Sequence, residues 1–402
     1  MNKYDLQPLS GFRDIRGWTK EWVIDQLKNT FRSFGYEALE TPALEKKEIL
    51  LSKYGDEAQK LLYLFEDLGQ REIGLRYDLT LPLARYVADN FNTLVFPFKR
   101  YEIGNAWRAE KPQKGRFRQF TQADVDILGE KSLEAEVELF KVIRSFDSVV
   151  GLQLKCILND RRLTAGLLEQ VGVAEDKRNR VMQTIDKRAK IDPEAFNNEL
   201  SILGLSQEQI ENLLKGLEEK TGNPEVLEGL EYLKNELTKM GIETEIDLGL
   251  VRGLDYYTGT VFELVSPNYD TTLIAGGRYD CLVEDLIGEK IPGVGVSFGV
   301  DRIADLLGAN KEQQLASYVT FVINPQDELE GFDAWIENLR KNGKMVDLYI
   351  DKKADIGTQL KYANRRGFKE VIIPLKEEWE AGKVILKNME TGEQLPKDIT
   401  SF

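Results

Sequence analysis

One seven-residue stretch constrains this chain more than any other. Phe120, Gln122, Asp124 and Asp126 alternate with Thr121, Ala123 and Val125, and a period of two is that of a β-strand. The four side chains therefore share one strand face. Polar groups at every second position suit a face turned to a ligand better than one turned to a core. The fold must supply a sheet with one chemically committed surface.

Just upstream, Arg108, Lys111, Lys114, Arg116 and Arg118 stand against the single acid Glu110, in a chain whose net charge is -14. Guanidinium forks match phosphate oxygens, so a triphosphate or RNA backbone fits this loop. A solvated basic loop is the plainer alternative. Four further strings could carry chemistry. Arg252-Gly253-Leu254-Asp255-Tyr256-Tyr257 sets one arginine and two tyrosines on a turn-rich segment between apolar strands. It reads equally as a hairpin end with half-buried tyrosines. Arg76 to Thr80 offers the Asp78 carboxylate and the Thr80 hydroxyl two residues apart, on one strand face, where they could receive an ammonium group. Ala275 to Asp280 contains a glycine pair that suits a tight turn close to a ligand. Gly293 to Arg302 places small residues on one strand face and Arg302 at a helix start; its spacing is not that of a dinucleotide fingerprint.

Composition excludes several classes. The chain has no histidine, so it can contain neither a Ser-His-Asp or Cys-His nucleophile system nor an imidazole-ligated metal site. Its two cysteines, Cys156 and Cys281, argue against a disulfide framework or a thiolate zinc site. The overall acidity gives no global footprint for nucleic acid, so any RNA contact must be local. No signal peptide and no membrane-length apolar run is visible, which points to a cytoplasmic protein.

At 402 residues, two or three domains are expected. Residues 19 to 34 read as a helix, with Val23, Leu27, Phe31 and Phe34 on one face and Gly35 just past its end. Tyr36 to Pro42 reads as a strand. Short apolar runs and turn signals between 60 and 110 suggest antiparallel pairing, and 132 to 146 reads as helix. From about 160 to 245 the composition turns to Glu, Lys, Leu, Asn and Gln. Ser206 to Gln209 fits a capping box ahead of Ile210, Leu213, Leu214 and Leu217. A helical module thus interrupts a sheet-based domain. Strands resume at Thr244, Thr260 to Val265 and Gly293 to Phe298. A charged, Gln-rich spacer, Asn310 to Gln314, precedes a tail whose strands and helices alternate, with a hairpin around Glu380 to Lys387. That alternation predicts a small α/β domain with a largely parallel sheet.

In this order, the strings resemble the histidyl-tRNA synthetases of class II. Gly11-Phe12-Arg13-Asp14 and Glu40-Thr41-Pro42 resemble the entry and first class II motif, Arg108-Ala109-Glu110 through Phe120 the second, and Gly293 to Arg302 the third. Leu250 to Tyr257 and Ala275 to Asp280 resemble the two signatures peculiar to the histidine enzyme. The class II motifs are individually loose; the Arg252-to-Gly259 string is specific, and the resemblance spans the whole chain.

The resemblance implies an α+β catalytic domain at 1–310, built on an antiparallel sheet with flanking helices and holding a helical insertion at about 165–240. It also implies an α/β anticodon-binding domain at 316–402. It further implies activation of L-histidine by ATP to histidyl-adenylate, with release of pyrophosphate, and transfer to tRNA(His). Arg108 and Arg252 would be catalytic. Asp78, Thr80, Arg108, Gln122, Asp126, Arg252, Tyr256 and Tyr257 would bind histidine. Arg108, Glu110, Arg116, Phe120 and Arg302 would bind ATP. Mg²⁺ is expected with ATP, with no resident metal and no other cofactor, in a cytoplasmic homodimer without membrane contact. Histidine-free composition is compatible with this chemistry, because the attacking carboxylate is already anionic.

The chain departs from many relatives in having Asp78 and Asp126 where they have Glu, and Ala109 and Thr121 where some have His. From Arg340 to Lys369, nine basic residues face three acidic ones, a local patch of the kind RNA requires. The alternative is a histidine-binding regulatory paralogue of ATP phosphoribosyltransferase, which typically lacks the anticodon domain and degrades the arginine-tyrosine signature.

Overall fold

The computed structural model describes residues 5–52, 59–113, 115–188, 191–252, 256–316 and 318–402. In chain order its first strands are β1 (Glu37–Ala38), β2 (Leu44–Lys46), β3 (Leu64–Glu66), β4 (Glu72–Leu75), β5 (Phe98–Trp107) and β6 (Gln119–Leu128). They are followed by β7 (Lys155–Asp160), β8 (Glu243–Ile246), β9 (Thr260–Ser266), β10 (Tyr269–Arg278) and β11 (Gly293–Gly299). Eight of these form one sheet in the order β1-β5-β6-β11-β10-β9-β7-β8. Every pairing from β5 to β7 is antiparallel, and the two outermost strands, β1 and β8, pair in parallel. The alternating strand is β6, and it lies inside this sheet between β5 and β11.

The two faces of the sheet differ because β11 alternates. Val294, Val296 and Phe298 point to one face and are buried. On that face Phe298 packs edge-on against Phe31 of the helix Thr19–Ser33 and against Phe146 of the helix Glu134–Val150, with ring centroids 5.6 and 5.4 Å apart. Gly293, Gly295, Ser297 and Gly299 occupy the opposite face beside the polar row of β6, pairing with it in register, Gly295 to Asp126 and Ser297 to Asp124. Two helices thus seal one side and leave the other for a pocket.

Several sequence expectations are corrected. Asp78 and Thr80 do not sit on a strand: β4 ends at Leu75, and Thr80 begins the helix Thr80–Asn90. The Asp78 carboxylate accepts from the Thr80 and Leu81 amides, both at 3.1 Å, so a residue read as a strand carboxylate caps a helix. The same helix replaces part of the antiparallel run expected between 60 and 110. Tyr36 to Pro42 forms only the two residues of β1. Ala275 to Arg278 is no turn; it is the end of β10. Its glycines answer to packing, since a Cβ on Gly276 would lie 2.3 Å from the Gly295 carbonyl and one on Gly277 2.8 Å from the Tyr257 ring. Asn310 to Gln314 belongs to the helix Val300–Ala316, which kinks at Gly308, where φ is 57°.

Between β7 and β8 run the helices Arg161–Gln170, Glu175–Asp186, Pro193–Ile202, Gln207–Glu219 and Pro224–Lys239. The capping box at Ser206 and Gln209 is formed in both directions.

The contacts separate the chain into two units: Lys20–Leu306 with the segment up to Ile15, and Leu307–Phe402 with Arg16–Thr19. The second unit has strands β12 (Val319–Val322), β13 (Met345–Leu348), β14 (Glu370–Ile373), β15 (Lys383–Asn388) and β16 (Gln394–Asp398), in the order β13-β12-β14-β15-β16. Its first three strands are parallel and its last two antiparallel, so the sheet is mixed and the hairpin falls later than Glu380 to Lys387. Phe321 packs with Ala363 of the helix Ile356–Arg366 on one face, and Val322 with Ile336 of the helix Phe332–Lys341 on the other. Helices cover both faces of its parallel part.

Truncating Phe298, which has no exposed surface, removes the contact that joins both helices to the sheet. Phe298→Ala is expected to cost about 3–5 kcal/mol, read as a lowered midpoint of urea unfolding.

Candidate active site

The polar face of β6 opens into two adjoining hollows. The outer one, of about 410 Å³, is lined by Arg108, Glu110, Arg116, Phe120, Gln122, Arg252 and Arg302, among others. The inner one, of about 40 Å³, is lined by Asp78, Thr80, Arg108, Gln122, Asp124, Asp126, Arg252, Tyr256 and Tyr257, with Tyr279, Gly295 and Ser297. All the residues singled out for histidine or ATP therefore border one continuous region. Lys114 and the Gly253-Leu254-Asp255 part of the second string lie outside the described residues.

The outer hollow is lined by four arginines, Arg108, Arg116, Arg252 and Arg302, and four acids, Glu110, Glu263, Asp270 and Asp301. Arg302 donates to two backbone carbonyls, those of Gly115 at 3.3 Å and Thr272 at 2.7 Å, rather than to a carboxylate. Burial holds its guanidinium below the usual arginine range, and Arg116 and Arg108 push it in the same direction. Arg108 lies over the Tyr77 ring at 4.2 Å and over the Phe120 ring at 5.0 Å, and donates to the Tyr77 carbonyl at 3.2 Å. Arg116 faces Glu110 at 3.6 Å. Such a cluster is stabilised by a polyanion entering it. Phe120 gives the hollow an aromatic wall suited to a flat ring.

Arg252 stands where the two hollows meet. Its backbone is left-handed, with φ 64°, an uncommon and costly state for a residue with a Cβ. Asp186, at the end of the helix Glu175–Asp186, accepts from the Val251 and Arg252 amides at 3.3 and 2.8 Å. Glu263 on β9 holds the guanidinium at 3.2 Å and itself accepts from the Thr272 hydroxyl at 2.7 Å. The side chain is thereby aimed along the sheet face.

The inner hollow is built on carboxyls. Asp126 takes the Arg100 guanidinium at 2.9 Å and the Tyr279 hydroxyl. Arg100, without exposed surface, also donates to the Leu79 carbonyl at 3.1 Å. Tyr256 donates toward Asp78 at 3.5 Å and packs on Tyr257 with ring centroids 4.9 Å apart. Asp124 has weaker support: Ser297 hydrogen-bonds the carboxyl, and its Oδ1 has no hydrogen-bond partner. Burial, then repulsion from Asp126, pushes its carboxyl up to about 8. Burial raises Asp126 as well, while Arg100 and the Tyr279 hydroxyl draw it back down, so Asp124 is the member of the pair with the weaker support for a charge.

Reading the residues one string at a time misses Arg100, Tyr279, Ser297, Glu263 and Asp186. Arg100 and Glu102 do carry a signal, two opposite charges two residues apart on one strand face. Asp186 lies in a helical module and carries none.

Two outcomes follow for stability. A Cβ on Gly295 would sit 1.9 Å from Asp126 Oδ1 and 3.3 Å from the Tyr279 ring. Gly295→Ala should break that hydrogen bond and lower stability by about 1–3 kcal/mol in urea titrations. A carboxyl raised in the folded state binds a proton that the unfolded chain has lost, so its stabilisation is present below its unfolded value of 3.8 and is lost as pH rises toward 8. The melting temperature of the Asp124→Asn variant should therefore gain on that of the parent chain from pH 5 to about pH 8 and level off above it. A constant difference would show that Asp124 does not titrate there.

Among the described residues, no helix is long and apolar enough to cross a membrane, and no group of three or more Cys, Asp or Glu could hold a metal ion. Comparison with known proteins gives a consistent result. A family model described as histidyl-tRNA synthetase matches residues 15–303. A histidine–tRNA ligase of Rhodopirellula baltica is 37% identical, covering 96% of this chain and 95% of its own length. A solved histidyl-tRNA synthetase from Nostoc superposes with a TM-score of 0.80 at 27% identity, covering 98% of this chain and 97% of that one. A Bacillus halodurans structure, titled an ATP phosphoribosyltransferase regulatory subunit/histidyl-tRNA synthetase, shares the fold with a TM-score of 0.74 at 23% identity, covering 92% of this chain and 99% of that one. With its polar sheet face, its arginine cluster and relatives matched along nearly their full length, this chain belongs to the histidyl-tRNA synthetase family.

Proposed function

We propose that the chain is an aminoacyl-tRNA ligase that joins L-histidine to tRNA(His) at the expense of ATP. The observation that carries this reading is the adjoining of the two hollows. An arginine-bearing, aromatic-walled chamber for a nucleoside triphosphate opens directly onto a carboxyl- and tyrosine-lined chamber for a small zwitterion, and Arg108 and Arg252 border both.

In the first step the histidine carboxylate attacks the α-phosphorus of ATP, and the bond to pyrophosphate breaks. Arg108 and Arg252 face the carboxylate and the α-phosphate and offset the charge that gathers between them. Phe120 stacks on adenine with Arg302 from the other side, and Glu110 and Arg116 hold the adenine and triphosphate. ATP enters with Mg²⁺ as part of the substrate. Asp78, Thr80 and Gln122 receive the α-ammonium, while Asp126 and Tyr257 take the imidazole and Tyr256 closes the wall. In the second step a hydroxyl of the terminal ribose attacks the histidyl carbonyl. AMP leaves, and a phosphate oxygen of the adenylate takes the hydroxyl proton, so no protein base is needed.

The unit Leu307–Phe402, with its basic Arg340 to Lys369 stretch, is assigned to anticodon binding, and the unit before it to catalysis. A homodimer in the cytoplasm completes the reading; apolar surface exposed at Leu44, Leu64 and Phe65 on the small β2-β4-β3 sheet is consistent with pairing. The regulatory alternative gains no support from the ligase relatives, whose matches run through the tail.

Histidine-dependent exchange of pyrophosphate into ATP tests the first step. The parent chain should exchange with histidine alone among the amino acids, and Arg252→Ala should lose on the order of 10²–10³-fold in rate. Histidine binding without exchange would move the assignment to the regulatory class.

A further inference from the structure

Asp186 touches no atom of the reaction described above, and its own helix gives it no reason to be there. It is the last residue of the helix Glu175–Asp186, whose last turn holds no basic residue. A helix C-terminus carries partial negative charge, so an acid at that position is disfavoured. The carboxylate instead serves a different segment. A single oxygen, Oδ1, accepts from the Val251 amide at 3.3 Å and from the Arg252 amide at 2.8 Å.

Arg252 needs such a hold. Its backbone is left-handed, with φ 64°, and a residue with a Cβ keeps that conformation only where its surroundings fix it. Glu263 fixes the guanidinium at 3.2 Å, and Asp186 fixes the backbone. The approach to Arg252 is held from the same side. Asn159, without exposed surface, donates to the Leu248 and Leu250 carbonyls at 3.2 and 2.9 Å, and the Thr164 hydroxyl donates to the Leu248 carbonyl at 2.9 Å. At the far end of the string, the Arg161 amide donates to the Gly259 carbonyl at 3.0 Å. Arg161 opens the first helix of the module, Arg161–Gln170. Its guanidinium lies 3.9 Å from Met182 Sδ, one turn before Asp186 on the same helix face. The first two helices of the module therefore hold the Arg252-to-Gly259 string at both ends.

We infer that Asp186 is a positioning residue for Arg252: its Oδ1 fixes the left-handed backbone from which the guanidinium reaches the reacting carboxylate and the α-phosphate. This rests on the reading that Arg252 serves histidine activation. It gives the helical module a part in a step that involves no RNA. The effect is geometric, because a change of φ at Arg252 swings its side chain off the line set by Glu263. A misplacement of about 1 Å at a reacting centre costs on the order of 10²-fold in rate. The charge of Asp186 is incidental, since the two amides need one acceptor oxygen and no more.

Position and charge part on substitution. The experiment is histidine-dependent pyrophosphate exchange by the full chain, with melting temperatures alongside, for the parent, Asp186→Asn, Asp186→Glu, Asp186→Ala, Arg252→Ala and the last two combined. Asp186→Asn keeps an oxygen at the same point without the charge, so it should exchange within a few-fold of the parent. Asp186→Glu keeps the charge but carries the oxygen one methylene further, and it should lose about tenfold or more. Asp186→Ala should lose on the order of 10²-fold. Added to Arg252→Ala, it should cost little more, because the guanidinium it positions is gone. Parent-like exchange in Asp186→Ala, an equal loss in Asp186→Asn, or losses that multiply in the double variant would each overturn the positioning role and leave the ligase reading intact. If Asp186→Ala does not fold, the other two variants decide: Asp186→Glu as active as Asp186→Asn overturns the role. A parent chain without histidine-dependent exchange would overturn both readings.

Discussion

The site depends on one buried guanidinium. Arg100 has no exposed surface, and its charge is balanced by Asp126 at 2.9 Å and Glu102 at 3.5 Å. Burial pulls it toward deprotonation, but Asp126 and Glu102 more than offset that, so it remains firmly cationic. Removing one partner of such a group strands a buried charge and is far costlier than never having had the pair. Arg76 extends the network, donating to Glu102 at 2.8 Å and to the Thr41 carbonyl at 2.7 Å. One connected set of charges therefore ties the Thr41 segment, the Thr80 helix through Leu79, and the floor of the inner hollow. Burial raises the Asp126 carboxyl, and Arg100 with the Tyr279 hydroxyl works against that rise.

Around that floor the sheet is thinned with glycine. Gly277, Gly293 and Gly295 admit the rings of Tyr257 and Tyr279 at distances that a Cβ would forbid. The small residues make room for large aromatic ones, and the aromatic hydroxyls then serve the carboxyls: Tyr279 serves Asp126, and Tyr256 serves Asp78. Packing and polarity are arranged by the same residues, so the inner hollow can be dry enough to sharpen its electrostatics and still hydrogen-bonded.

The outer hollow follows a different logic. Arg108, Arg116 and Arg302 stand near one another, and burial together with the other two guanidiniums holds Arg302 below the usual arginine range, so a phosphate group brought among them offsets that repulsion. Arg252 joins the two regions through a strained backbone that Asp186 of the helical module holds in place. The insertion between β7 and β8 thus has a direct mechanical link to an arginine assigned to the reaction centre.

The sequence alone determined the polar face of β6, because a period of two is a local property of a strand. It also determined the helical module, whose capping box and periodic leucines are local too, and the small-residue face of β11. The absence of histidine excluded whole chemistries without any structure. Only the tertiary structure decided that Asp78 and Thr80 open a helix, since their two-residue spacing suits either a strand or a cap. The fate of Gly276 and Gly277 was likewise nonlocal: a glycine pair signals a close approach, and whether a turn or a neighbouring ring approaches depends on strands far away in the chain. The same holds for Arg100, Tyr279 and Asp186, whose partners lie 26, 153 and 66 residues away, respectively. Charge compensation acts through space, and space is what folding supplies.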